Sequence, residues 1–416
     1  MEAQRQQARR AIEALRSGVP NRDAVSVLEC GQNRLEQLFR RNLEATREVS
    51  SDGLYPKGLL VSGRFGTGKS HLLEYFQHIA LEENFICSKI VISKETPLYD
   101  PVKLFRAAAD TAMIQGRRGS AIAEVGEALN ISSKAYFELC EWANTSTEIS
   151  PFFSATIFLL SRLNQDPERR DRIFRFWAGE KLGVAELRRY LRECGEAVSF
   201  KIDQVKLRDL ALQRFKFVPR LMQAAGYSGW VLLIDEVELI GCYSFRQRAK
   251  SYAELARWRG DLRGEKYPGL TTVLAITADF QTAILLDKGD LENVPGKLRA
   301  MALSDTWIQI AEQAEKGMHS IQQSVQLDEP NEETRKQIFN DVREIYSKAY
   351  DWQPPSTSTF SRFATTSTRM REYIRGWITE WDLKRLYPTY QSKIEVKEIP
   401  TNYIEDEDLQ PKEETD

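Results

Sequence analysis

Four short stretches of the chain, at 58–62, 86–92, 230–234 and 271–277, are apolar at almost every position. Unbroken runs of this length, rich in Val, Ile and Leu, predict strands buried on both faces, as in a parallel sheet. Elsewhere the apolar residues recur at three- and four-residue spacing, which predicts helices. Ala3 to Ser17 forms one such run. Gly18-Val19-Pro20 stops it, and Asn21 or Asp23 is placed to cap the next helix. A second run covers Gly31 to Val49, and a third covers 69–82.

From 101 to 225 the strand signal fades. Leu104-Phe105, Val125-Leu129, Tyr136-Trp142, Phe152-Leu163, Ile173-Trp177 and Leu187-Leu191 mark successive helices with charged residues between them. That much helix is too long for a simple crossover between two strands, so it reads as an insertion with a subdomain's character. Residues 329–387 are helical again, broken by Gln353-Pro354-Pro355 and a Ser/Thr stretch at 356–368. The segment 393–416 holds nine acidic residues and two prolines and reads as a mobile tail. Strands separated by helices give an α/β fold with a parallel sheet.

Composition narrows this picture little. In 416 residues, 58 Lys and Arg stand against 60 Asp and Glu, so overall charge points to neither nucleic acid nor membrane. Arginine clusters at 168–172 and 187–192 are interleaved with acids and read as solvated helix faces. The five cysteines are scattered singly, without zinc spacing or a disulfide framework. No signal-peptide core and no bilayer-length apolar stretch is visible, so a cytoplasmic protein without membrane contact is expected.

The chemistry lies at the strand ends. The strand at 58–62 runs into Gly63-Arg64-Phe65-Gly66-Thr67-Gly68-Lys69-Ser70, which fits G-x-x-x-x-G-K-[ST] in full and is followed by a helix with His71 in its first turn. Glycines let successive backbone N–H groups curl around phosphate oxygens, and the helix start adds its dipole. Lys69 would reach the β- and γ-phosphates of ATP, and the Ser70 hydroxyl would hold Mg²⁺.

The strand 230–234 runs into Asp235-Glu236-Val237-Glu238. Asp235 would hold Mg²⁺ and Glu236 would act on the attacking water, while Glu238 is open to a plain solvated reading. The strand 271–277 would lie beside it. Its end offers Thr277, or after it Asp279, as a sensor of the γ-phosphate; capping of the next helix is the alternative. Cations against the transferred charge come from Arg371 and Arg375, one helical turn apart, or from Lys297 and Arg299, which could project from a neighbouring subunit.

This ordered set resembles the AAA+ branch of P-loop ATPases. Four stretches are similar to the ATP-binding protein family of BREX phage-defence systems, the BrxD-like and BrxC-related proteins: Ala11 to Pro20, Gly66 to His71, Leu233 to Glu238 and Arg371 to Arg375. The resemblance implies an AAA+-like P-loop fold with a large helical insertion and a C-terminal helical lid. It makes Arg371 the lid arginine with Arg375 behind it, although Met370 stands where a proline is expected. It lays 11–20 against the adenine, with Val19 and Pro20 as apolar contacts. The expected organisation is an N-terminal segment at 1–27, a core divided into 28–100 and 226–328, an insertion at 101–225, a lid at 329–392 and the tail at 393–416.

The function so implied is Mg-ATP binding and hydrolysis in a bacterial anti-phage complex. The expected partners are other defence proteins, with DNA and a nucleotide-dependent homo-oligomer as further candidates. A slowly hydrolysing switch or scaffold is the alternative, which the intact Asp235-Glu236 pair disfavours. An origin-recognition-like DNA-binding ATPase would need a basic winged module, and none is visible. A small-molecule kinase fits the insertion and the lid less well.

Overall fold

The computed structural model describes residues 2–18, 22–25, 28, 30–48, 56–118, 121–163, 166–196, 199–300, 305–358 and 370–389. The tail at 393–416 and the residues Val19 and Pro20 lie outside them.

Among the described residues seven strands form one sheet: β1 Leu59–Gly63, β2 Ile86–Val91, β3 Met113–Ile114, β4 Arg117–Arg118, β5 Trp230–Asp235, β6 Leu270–Thr277 and β7 Val325–Gln326. Their order is β4-β3-β2-β5-β6-β1-β7. From β2 to β7 every neighbouring pair is parallel. The four predicted strands are present within one or two residues of their expected ends. The small antiparallel hairpin of β3 and β4 was not legible, because two-residue strands carry no periodicity. It is held by backbone pairing at the sheet edge around Gly116, which turns at φ +83°.

The unbroken apolar runs have the expected cause, since side chains alternate between two covered faces. Val231 and Leu233 of β5, with Val61 and Val273, point into one core. Trp230, Leu232 and Ile234 point into the other, with Leu60 and Leu274. The first core is closed by α3 (Asn33–Arg47) and α4 (Lys69–Glu82), whose Phe39 and Phe76 rings stack at 4.2 Å.

The second core is larger. It takes in α5 (Pro101–Asp110), α6 (Ala121–Ala128), α7 (Lys134–Thr145), α8 (Pro151–Arg162), α9 (Pro167–Trp177), α10 (Val184–Glu193) and α11 (Leu207–Ala224). It continues over α12 (Phe245–Arg259), α13 (Asp290–Ala300) and α14 (Asp305–Gln322). The helices of 101–225 therefore share one apolar cluster with a face of the sheet.

Several polar groups inside this core are paired, although the Trp258 indole N–H has no hydrogen-bond partner among the described residues. The Trp230 indole donates to Ser88 Oγ at 2.8 Å, and Ser88 Oγ donates to the Ala108 carbonyl at 2.6 Å. Arg248 grips Asp290 through both oxygens at 2.8 and 3.1 Å, and Tyr252 donates to the same carboxylate at 2.7 Å, tying α12 to α13. Arg169, Arg170 and Arg172 are half-buried and ion-paired to nearby acids rather than solvated, whereas Arg188, Arg189 and Arg192 of the second cluster are exposed.

A third cluster joins the two ends of the chain. Helix α1 (Glu2–Ser17), with Ala24 of the short α2 (Arg22–Val25), packs Ala11, Ile12 and Leu15 against α15 (Glu332–Tyr350) and α16 (Met370–Leu386). Arg16 meets Asp382 at 2.8 Å and the Tyr350 hydroxyl at 3.1 Å, and Arg9 donates to the Ala349 carbonyl at 3.0 Å at the end of α15. The N-terminal helix is thus part of the C-terminal helical group. No helix among the described residues is long and apolar enough to cross a membrane.

Candidate functional site

The loop between β1 and α4 has its shape from three glycines. A Cβ on Gly63 would stand 2.7 Å from Thr67 Oγ1, closer than such atoms approach. Gly66 and Gly68 turn at φ +81° and +111°, where an L side chain is strained. Thr67 staples the loop, its N–H and its hydroxyl both donating to the Arg64 carbonyl at 3.2 and 2.8 Å.

Lys69 opens α4 and is buried. Its ammonium donates to the Gly63 carbonyl at 3.0 Å and to that of Arg64 at 3.5 Å. Burial holds its pKa below the ordinary lysine value, opposed by the charges of Glu238, Asp235 and Asp279, while Arg371 adds to the depression. Three carboxylates and one arginine therefore surround the lysine, drawn from β5 and the turn after it, from the end of β6 and from α16. Ser70 follows, half-buried.

The sheet order explains this gathering. Because β6 lies between β1 and β5, its end stands between the phosphate loop and the acidic strand. Thr277 is buried there, directly opposite Gly63, and the next N–H, that of Ala278, donates to the Gly63 carbonyl at 3.1 Å. Asp279 is exposed beyond it.

Asp235 ends β5, buried, and its Oδ1 accepts from the Glu236 N–H at 3.0 Å. Glu236 then takes φ +58°, a left-handed conformation costly to a residue with a side chain, which turns its carboxyl outward. Glu236 is exposed, yet desolvation on its inner side and the neighbouring Asp235 push its carboxyl above the ordinary value, with Lys69 and Arg371 opposing.

Glu238 corrects the solvated reading. It sits on the short 3₁₀ turn Val237–Cys242, half-buried, and its Oε2 has no hydrogen-bond partner among the described residues. Burial raises its carboxyl to about 7 against the pull of Lys69.

Arg371 lies over the loop. Its backbone N–H approaches the Gly66 carbonyl at 3.5 Å, and its guanidinium carbon is 5.7 Å from the centre of the Phe65 ring. Arg375, one turn on, is exposed. Lys297 and Arg299 belong to α13; Lys297 covers the Phe245 ring and Arg299 pairs with Glu315 at 2.7 Å. Neither is among the charges felt by Lys69 or Glu236.

Beside the loop opens a mostly apolar pocket with about 790 Å³ of empty space, counting its mouth. Ala14 and Leu15 of α1 and Gly18 just after it form one wall, and Ile338, Met370 and Ile374 another. His71 and Leu72 close it from α4. Burial lowers the His71 imidazole to about 4, so it is neutral at pH 7. Gln32, also on the wall, clamps the backbone of Asp328 at 3.0 and 2.9 Å.

The segment 11–20 thus lines the pocket through Ala14, Leu15 and Gly18; the contacts expected of Val19 and Pro20 fall outside the described residues. Sequence reasoning missed Ile338 and Ile374, which look like ordinary core residues of amphipathic helices.

A glycine cradle, a buried ammonium and an adjoining apolar pocket suit a nucleotide. The sequence matches the family described as BREX system ATP-binding protein BrxC/D over residues 3–130 and 155–369, and the chain belongs to that family. ATP binding in BREX phage defence is the function the family carries. No curated protein and no solved structure matches it.

Proposed function

We propose that this chain is a Mg²⁺-dependent AAA+-type ATPase whose hydrolysis drives rearrangement or assembly of partner proteins in the defence complex. The observation that carries this reading is the position of Asp235 and Glu236. They stand one strand away from the phosphate loop, with Thr277 between and Lys69 within their electrostatic reach. Binding alone needs the loop; an acidic pair at the adjoining strand end adds the means of activating water.

In this reading the loop amides from Gly63 to Gly68 hold the β- and γ-phosphates, and Lys69 exchanges its backbone carbonyl partners for phosphate oxygens. Ser70 and Asp235 would hold Mg²⁺, which supplies charge neutralisation between the phosphates. Glu236 orients the attacking water and accepts its proton; a carboxyl raised above its ordinary value is a stronger base for that task. Thr277 meets the γ-phosphate from the strand end, and Arg371 offsets the charge that develops on it. Residues 329–392, together with α1, act as a lid that closes on the triphosphate and reopens after hydrolysis, and 101–225 are an insertion in the core.

The test is phosphate release from the full chain given ATP, with Mg²⁺ and with a chelator. The reading predicts turnover that requires Mg²⁺ and is lost in Asp235→Ala. Turnover unchanged by that substitution would contradict it.

A further inference from the structure

Phe65 is an anomaly of the phosphate loop. It is 53 % exposed, one of few large apolar side chains turned to solvent. Nothing in the cradling of phosphate asks for an aromatic ring there, since the backbone does that work.

Above it lies Arg371, held at three points. Its backbone N–H faces the Gly66 carbonyl at 3.5 Å. Its aliphatic stem lies on Gly18, where a Cβ would come within 3.1 Å of Cδ. Its guanidinium rests 5.7 Å from the Phe65 ring centre. Among the described residues no carboxylate or other acceptor comes within hydrogen-bond or ion-pair distance of that guanidinium. By contrast Arg16 and Arg385, on the same helical group, are both paired with Asp382.

We propose that Phe65 is a positioning residue for Arg371: its ring holds the guanidinium over the phosphate loop, pre-aimed at the terminal phosphate of a nucleoside triphosphate. The inference rests on the reading of Arg371 as the lid arginine. An arginine tied to a carboxylate would have to break a strong charge-assisted bond before meeting a phosphate. One resting on an aromatic face keeps all its N–H donors, which lie in the guanidinium plane, available. Phe65 therefore touches no phosphate itself, and its effect passes through Arg371 to the triphosphate and not to the diphosphate.

The test measures the affinities of the full chain for ATPγS and ADP by calorimetry in wild type, Phe65→Leu, Phe65→Tyr, Arg371→Ala and the double variant Phe65→Leu/Arg371→Ala. Phe65→Leu is expected to weaken ATPγS about two- to fivefold, the range of an exposed cation–π contact, and to leave ADP unchanged. Phe65→Tyr, which keeps the ring, restores the preference. In the Arg371→Ala background the Leu substitution adds nothing. An equal loss for both nucleotides, an undiminished loss without Arg371, or a Tyr variant as weak as Leu overturns the proposal and leaves the lid reading standing. An Arg371→Ala variant that keeps its full preference for ATPγS overturns the lid reading, and the proposal with it.

Discussion

The ammonium of Lys69 donates to the carbonyl of Gly63 at 3.0 Å, so the phosphate loop is closed by its own lysine. The same carbonyl also accepts from the Ala278 N–H at 3.1 Å. Gly63 thus stays satisfied when Lys69 leaves it, and the lysine is free to turn to a phosphate without orphaning a buried backbone oxygen.

Lys69→Ala is therefore expected to melt close to wild type without nucleotide but to lose stabilisation by it. At a hundred times its dissociation constant, ATP should stabilise the wild type by about 2.7 kcal/mol. Thermal melts with and without ATP check this; a full ATP-induced rise in the variant would contradict it.

Glu238 carries a pH signature. Its carboxyl is raised to about 7 in the folded chain from an ordinary 4.5, so the folded state binds this proton more tightly than the unfolded one. Stability from this group falls as pH rises from 4.5 through 7 and then levels. Glu238→Gln removes that fall. Relative to wild type, the variant should gain stability at pH 8, by no more than about 3 kcal/mol, and gain little at pH 5. Denaturation midpoints at the two pH values decide; an equal difference at both contradicts the assignment.

Gly18 ends α1 at φ +73° beneath the stem of Arg371. Gly18→Ala should cost about 1–2 kcal/mol for the left-handed backbone. It should also push Arg371 off the loop and weaken ATPγS more than ADP. Unchanged stability together with unchanged nucleotide preference would show that the contact is incidental.

Arg248 and Asp290 form a buried, fully engaged ion pair. Asp290→Ala leaves the guanidinium buried without its countercharge, at about 3–5 kcal/mol. Removing both charges with Arg248→Met/Asp290→Leu should recover much of that loss. Urea midpoints test it, and a near-neutral single variant would contradict it.

Much of this was legible in the chain, for physical reasons. The four long strands announced themselves because each is covered on both faces, leaving no polar alternation. The loop and α4 were legible because phosphate binding constrains residue type and spacing together, and Asp235 stood out as an acid ending an apolar strand. What was hidden depends on contacts across long sequence separation. Arg16 finds Asp382, and α1 joins α15 and α16, through pairings that no local pattern records. Ile338 and Ile374 wall the pocket, yet each belongs to a helix whose apolar stripe would look the same without a ligand. Glu238 looked solvated because its burial comes from the turn after β5. Phe65 and Arg371, in turn, are 306 residues apart in a chain of 416.

Trapping separates the hydrolytic role proposed for Glu236 from the binding role proposed for Lys69. Full-length chain is incubated with radiolabelled Mg-ATP, passed rapidly over a desalting column, and its bound nucleotide identified. Glu236→Gln should retain ATP, uncleaved, with turnover reduced by two or more orders of magnitude, on the scale of losing a positioned general base (about 10²–10⁴); Lys69→Ala should retain nothing. A Glu236→Gln chain that releases phosphate at the wild-type rate would contradict the account.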